Sequence, residues 1–302
     1  MDGAGARAEA TGMRAVRASR RAVLCRGAAW VAAVLSMHAA GAEAGLERQL
    51  RFSITLTNPT GETLQDQVLW LYAPLADGPA QKLLRVNCAL PHELNPDPLG
   101  HAVLKLPLPP MAPWGTKVVA LGFDVAMRRS PLPSSLDDPR PWLKPERCIE
   151  VDDTRIREAA AALKRSTAME TAQAIYESVR TRLQYAGYVA DDLGALQALR
   201  QGRGDCTEYA FLAVALARAN GIPARMVGGY VTEGSAAPRA EEYHNWAELH
   251  LDGAWRLLDA QKEHWLTPVE QYVAFRLYRD EAVNPVGLAH RFRMDGRLRV
   301  RM

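Results

Sequence analysis

The periodicity of this chain turns from strand to helix near residue 150, and that change limits the fold more than any other feature. Before it, apolar residues recur every second position. RFSITLTN (51–58), DQVLWLYAPL (66–75), HAVLKLPL (101–108) and KVVALGFDVAM (117–127) all alternate. Asn58-Pro59, Asn95-Pro96, Pro109-Pro110 and Trp114-Gly115 punctuate them. Short alternating strands between turn signals predict an antiparallel β-sandwich over 46–130. A proline-rich polar stretch over 131–151 reads as a linker. After it the period becomes helical, with helices expected over Asp152–Leu163, Ala168–Leu183, Asp192–Gln201 and Cys206–Asn220. The last of these is strongly apolar and is closed by Asn220-Gly221 as a C-cap. Strand patterns return at 222–232, 244–251 and 255–260, then a helix near Pro268–Tyr278 and a strand-like end. Helices followed by antiparallel strands make the 152–302 segment an α+β domain.

The chemistry concentrates in this second part. GRGDCTEYA (202–210) places Cys206 after two glycines at the first turn of a helix. A helix N-terminus offers free N–H groups and partial positive charge, both of which favour a thiolate. The Cys206 N–H is itself suited to meet a developing oxyanion. An adhesion role for Arg203-Gly204-Asp205 does not suit a triplet fixed against a helix start. HNWAELHL puts His244, Trp246, Glu248 and His250 on one strand face, with Asn245, Ala247, Leu249 and Leu251 opposite. The polar-aromatic face is the one expected to border a cleft, with Trp246 and Glu248 walling it and His250 and His264 as bystanders. Asp259 ends the next strand, where a carboxylate can orient an imidazole. Nucleophile, base and orienter are thus all present as Cys206, His244 and Asp259. Tyr185, shortly upstream, is the candidate for a second oxyanion or substrate contact. The polar segment 232–243 is the candidate cleft rim. The three triad residues could also ligate a metal, but they lack a close ligand pair such as Cys-x-x-Cys, so no metal is expected.

GRGDCTEYAFLAVALARANGIPARMVGGYV followed by HNWAELHLDGAWRLLDA resembles the transglutaminase-like superfamily of papain-like fold. Gly-x-Cys at a helix start, His-x-Trp-x-Glu on a strand and Leu-Asp near the end of the next occur in order, over about residues 155–265. The resemblance implies acyl transfer or hydrolysis at peptide or isopeptide amides through a thioester. Cys206 would be nucleophile, His244 general base and then acid, and Asp259 the orienter. It implies no cofactor. A non-catalytic binding or scaffold module of the cell envelope is the rival reading; inactive members of the superfamily usually lack a triad residue.

The N-terminus bears on location. Arginines at 14, 17, 20, 21 and 26 precede an apolar run, Ala28–Met37, and then the small residues Ala40, Ala42 and Ala44. That order predicts a signal peptide over 1–42, with Ser19-Arg20-Arg21-Ala22-Val23-Leu24 resembling a twin-arginine signal. A run of about ten apolar residues is too short for a permanent span. A periplasmic or secreted protein is expected, with no stable membrane span after cleavage. Those 42 residues hold six arginines and two acids, so their removal takes the net charge from +3 to −1. Nothing then argues for a nucleic-acid partner; the expected partner is a peptide or protein amide in the envelope. Cys25 leaves with the signal. Of the remaining cysteines, Cys88 and Cys148 are expected to pair, leaving Cys206 free.

Overall fold

The computed structural model describes residues 46–188 and 191–302; the signal peptide expected over 1–42 lies outside them. Six strands come first: β1 (Leu46–Thr57), β2 (Val68–Ala73), β3 (Gln81–Cys88), β4 (Glu93–Pro96), β5 (Ala102–Pro107) and β6 (Thr116–Met127). Helices α1 (Thr154–Leu163) and α2 (Ala168–Arg182), a two-residue strand β7 (Gln184–Tyr185), helix α3 (Ala195–Gln201), a second short strand β8 (Arg203–Gly204) and helix α4 (Cys206–Ala219) follow. The chain ends in β9 (Ala224–Val231), β10 (His244–Leu251), β11 (Ala254–Asp259), β12 (His264–Trp265), β13 (Tyr272–Leu277), β14 (Phe292–Asp295) and β15 (Arg299–Arg301).

Two four-stranded antiparallel sheets, ordered β15-β1-β6-β3 and β14-β2-β5-β4, feed one buried cluster. Alternation explains it: Leu50, Phe52, Ile54 and Leu56 of β1 point inward while Arg51 and Ser53 face out. The last two strands pair with β1 and β2. Strands β14 and β15 of the segment 152–302 therefore complete sheets that begin at residue 46. The 131–151 stretch is also more than a tether. Ile149 and Val151 are buried in the core around α4, and Trp142 meets Trp255 edge-to-face at 5.5 Å.

The five-stranded sheet β12-β11-β10-β9-β13 is antiparallel throughout and carries the candidate site. One face receives α4 through Ala247, Leu249 and Met226, and nearer the β13 edge it meets the N-terminal sheets through Tyr230, Val273 and Phe275. Helix α4 is buried from Thr207 to Arg218, as a helix apolar on all sides must be. The opposite face holds Val227, Trp246, Leu257 and Tyr272 against Leu75, with Trp142 packed on them. The helix expected near 268–278 is instead a 3-10 turn at 269–271 and strand β13. Its residues alternate between the two faces and are buried on both, so period two wins over helical composition.

Cys88 and Cys148 do not pair; all three described cysteines are free thiols. Cys88 closes β3 and packs on the cluster of the N-terminal sheets, whereas Cys148 sits in the core around α4. The two thiols belong to different cores, which is why the expected disulfide is not made. Burial pushes the Cys148 thiol above its ordinary pKa, which keeps it protonated and unreactive. A chain spanning 46–302, unfolded in denaturant without reductant, will titrate with three thiols; a Cys88–Cys148 bond would leave one.

Candidate active site

The start of α4 is built by a reciprocal cap. Asp205 is the N-cap, its Oδ1 accepting from Thr207 N–H at 2.7 Å, and Glu208 Oε2 accepts from Asp205 N–H at 3.1 Å. Glu208 folds back so closely that a Cβ on Gly204 would lie 2.3 Å from its own Cβ. Only glycine fits there, which explains the second glycine of GRGDC. The other Glu208 oxygen accepts from Leu193 N–H at 3.0 Å, tying the segment before α3 to the same cap. Cys206 follows directly, half-buried, on a cavity of about 200 Å³.

The structure brings Cys206, His244 and Asp259 together. His244, the first residue of β10, donates from Nε2 to Asp259 Oδ2 at 2.6 Å, and both side chains are buried. Its remaining ring nitrogen, Nδ1, is the one left for the Cys206 thiol, with which the imidazole interacts. Burial alone would lower the His244 pKa. The Asp259 hydrogen bond and charge, together with Cys206, outweigh it and raise the imidazole to about 9. Burial likewise opposes the Asp259 charge. Bonds from His244, Tyr272 and the backbone overcome it and hold the carboxyl below its usual range. His244 thus carries a positive charge beside Cys206 at neutral pH. An anionic alkylating agent feels that charge and a neutral one does not. The iodoacetate-to-iodoacetamide rate ratio at Cys206 will therefore fall as pH rises through about 9, and His244→Gln will flatten it.

Three further residues complete the geometry: the sequence reading passed over Asn245 and Tyr272 and set His264 aside as a bystander, yet it meets the Tyr272 hydroxyl that donates to Asp259. Asn245 Nδ2 donates to Thr207 Oγ1 at 3.0 Å and lies 3.9 Å from Cys206 Sγ. It fits because Gly228, its partner across the strands, has no side chain; a Cβ there would lie 2.9 Å from Asn245 Oδ1 and 2.2 Å from Tyr243 Oη. A lone polar residue on a face otherwise Ala, Leu and Leu was the available signal. Tyr272 Oη donates to Asp259 Oδ2 at 2.7 Å, and His264 Nδ1 meets the same phenol oxygen at 2.7 Å. No local pattern points from Tyr272 to Asp259.

The remaining candidates sort by burial. Tyr185 pairs with Gly204 through β7 and β8, and is 59% exposed. Burial, then the charges of Cys206 and Asp205, raise its phenol pKa. Trp246 does not wall the cleft. It is 1% exposed, stacked 6.3 Å from the His244 ring and edge-on to Tyr272 at 5.0 Å. Glu248 does not reach the cleft either; its Oε2 takes Nε and Nη2 of Arg225 at 2.8 and 2.6 Å in a buried pair. The polar-aromatic face of β10 thus packs on a second core because Leu75 and Trp142 cover it. His250 Nε2 lies 2.9 Å from Ser134 O. The cleft rim comes partly from the 232–243 segment, through Ala240, Glu241 and Tyr243, and partly from the tail, through His290 and Arg291. Arg291 Nη1 donates to Ala240 O at 2.7 Å, holding the two together. Among the described residues no cluster of His, Cys, Asp or Glu could hold a metal, and no helix is long and apolar enough to cross a membrane.

Residues 157–260 match the transglutaminase-like superfamily. No curated protein matches the chain. Among solved structures, a candidate cysteine protease from Cytophaga hutchinsonii aligns at 19% identity over 85% of this chain and 90% of its own, with a TM-score of 0.57. That likeness is one of fold. The periplasmic domain of TgpA from Pseudomonas aeruginosa aligns at 17% identity over 73% of this chain and 84% of its own, with a TM-score of 0.40.

Proposed function

We propose, from the transglutaminase-like core carried by residues 157–260, that this protein is an exported thiol enzyme acting on peptide or isopeptide amides. One observation carries the reading: a buried His244–Asp259 pair stands against a half-buried cysteine at a helix start, at an open cleft. Cys206 Sγ attacks the amide carbonyl after its proton passes to His244 Nδ1. The oxyanion forms against the Cys206 N–H, which neither half of the capping box uses. His244 returns the proton to the departing amine as the C–N bond breaks, leaving a thioester on Cys206. Water or an acceptor amine then attacks the thioester, His244 takes its proton, and the thiol is released. Asp259 stays ionised and holds the imidazole in place.

An exposed aromatic side chain on the cleft favours a peptide as the acyl donor. Tyr188 is 86% exposed on the cleft. Exposed aromatic groups of this kind suit substrate side chains. The exported location rests on the arginine-then-apolar order of residues 14–44.

The test is a mass measurement. Incubation with envelope-derived peptides, followed by acid quench, should add an acyl mass to Cys206 that hydroxylamine removes. Cys206→Ala should give no adduct. A binding module gives none with either protein, and alkylation of Cys206 no faster than a free cysteine would complete the case against an enzyme.

A further inference from the structure

Asp259 has more donors than a triad needs. Its Oδ1 accepts from the Gln261 and Lys262 N–H groups at 3.1 and 3.0 Å. Its Oδ2 accepts from both His244 Nε2 at 2.6 Å and Tyr272 Oη at 2.7 Å. Tyr272 opens β13, at the far edge of the sheet from β11, yet its hydroxyl shares one oxygen with the imidazole. The phenol proton is committed to Asp259, so the contact with His264 can only be Nδ1–H donating to the phenol oxygen. Two donors therefore converge on Asp259 Oδ2: Tyr272, backed by half-buried His264, from one side, and His244, which faces Cys206, from the other. We infer that Tyr272, backed by His264, is a positioning residue that sets how strongly Asp259 holds the His244 imidazole. This rests on the acyl-transfer reading for its importance to catalysis, but not for its geometry.

The physical reason is competition for one lone-pair region. A carboxylate that already accepts from a phenol is a weaker acceptor for imidazolium. Burial, and then the Asp259 charge, push the Tyr272 phenol far above its ordinary pKa, so it stays a donor throughout the working range. A hydroxyl that accepts a hydrogen bond is also a better donor, which gives His264 its part. Other groups face these donors little. His244 meets Cys206 from α4 and Trp246 from its own strand, and Tyr176 of α2 reaches Asp259 and Tyr272 only at longer range.

The experiment follows the His244 C2 proton by NMR against pH in the folded protein. The signal is assigned by its loss in His244→Gln, and melting curves check each variant. The unaltered protein should titrate at about 9. Tyr272→Phe keeps the ring and removes the competing donor, so His244 should titrate higher, by about one pH unit. His264→Leu should raise it by less. His264→Gln, whose amide N–H can stand in for the imidazole, should leave it near the starting value. An unchanged or lowered titration in Tyr272→Phe overturns the inference. An unchanged titration in His264→Leu overturns the part given to His264. Failure of Cys206 to acquire an acyl group would overturn the function instead and leave this titration to be judged on its own.

Discussion

Asp259→Asn will lower turnover by roughly 10³- to 10⁴-fold without unfolding the protein. The hydrogen bonds already described dictate how the new amide must sit. The Gln261 and Lys262 N–H groups require an acceptor at the Oδ1 position. The amide oxygen takes that place, and the NH₂ turns to where Oδ2 met His244 and Tyr272. It then presents a donor to His244 Nε2, which must become an acceptor. The ring proton moves to Nδ1, the nitrogen that has to receive the thiol proton, so the base is lost in its correct form. The charge goes as well. Without the carboxylate, the burial that opposes the imidazolium is no longer outweighed, and His244 will titrate below 9. The fall in the iodoacetate-to-iodoacetamide ratio near pH 9 will shift to lower pH or vanish. Stability follows the same sign. A raised imidazole contributes fully below its ordinary value of about 6.5 and loses that contribution as pH climbs through about 9. In Asp259→Asn that alkaline loss of stability will be absent. A variant that keeps full turnover and the step at 9 would show that Asp259 does not orient His244.

The residues that proved legible in the sequence are those whose role is local. Cys206 at a helix start is announced by Gly204 and Asp205, because a capping box is a pattern within four residues. His244 and Asp259 sit at ends of consecutive strands, and alternation plus the Asp252-Gly253 turn places them in neighbouring positions. What was not legible depends on how layers stack. Parity assigned Trp246 and Glu248 to the His244 face, and that assignment holds. Whether the face meets solvent or a second core depends on Leu75 and Trp142, which lie more than 100 residues upstream. Tyr272 reaches Asp259 from the opposite edge of the sheet, through a segment whose composition suggested helix. Cys88 and Cys148 looked like partners by elimination, but two separate cores hold them apart. The final strands returning to β1 and β2 are likewise a matter of topology rather than of pattern.

Glu248 shows what the covered face does for the fold. Its carboxylate and the Arg225 guanidinium are 11% and 8% exposed, and the guanidinium lies 4.1 Å from the Trp255 ring centre. Arg225→Met keeps the length of the side chain and removes the charge, leaving Glu248 buried without its partner. An uncompensated buried charge costs about 3–5 kcal/mol. In a chain of this size that corresponds to a fall in Tm of roughly 10 °C. Replacing both residues, Arg225→Met with Glu248→Leu, removes the stranded charge along with the pair. The double variant should therefore melt within a few degrees of the parent, since a buried pair exchanged for apolar groups of similar volume is close to neutral. Catalysis separates this role from a substrate contact. Neither residue lines the Cys206 cleft, so at a temperature where each variant is folded the turnover number and KM will stay within about twofold of the parent. If Glu248 instead held substrate, the double variant would be stable and yet bind its acyl donor poorly. Melting curves and steady-state kinetics on the same two proteins decide between a brace beneath the catalytic strand and a wall of the cleft.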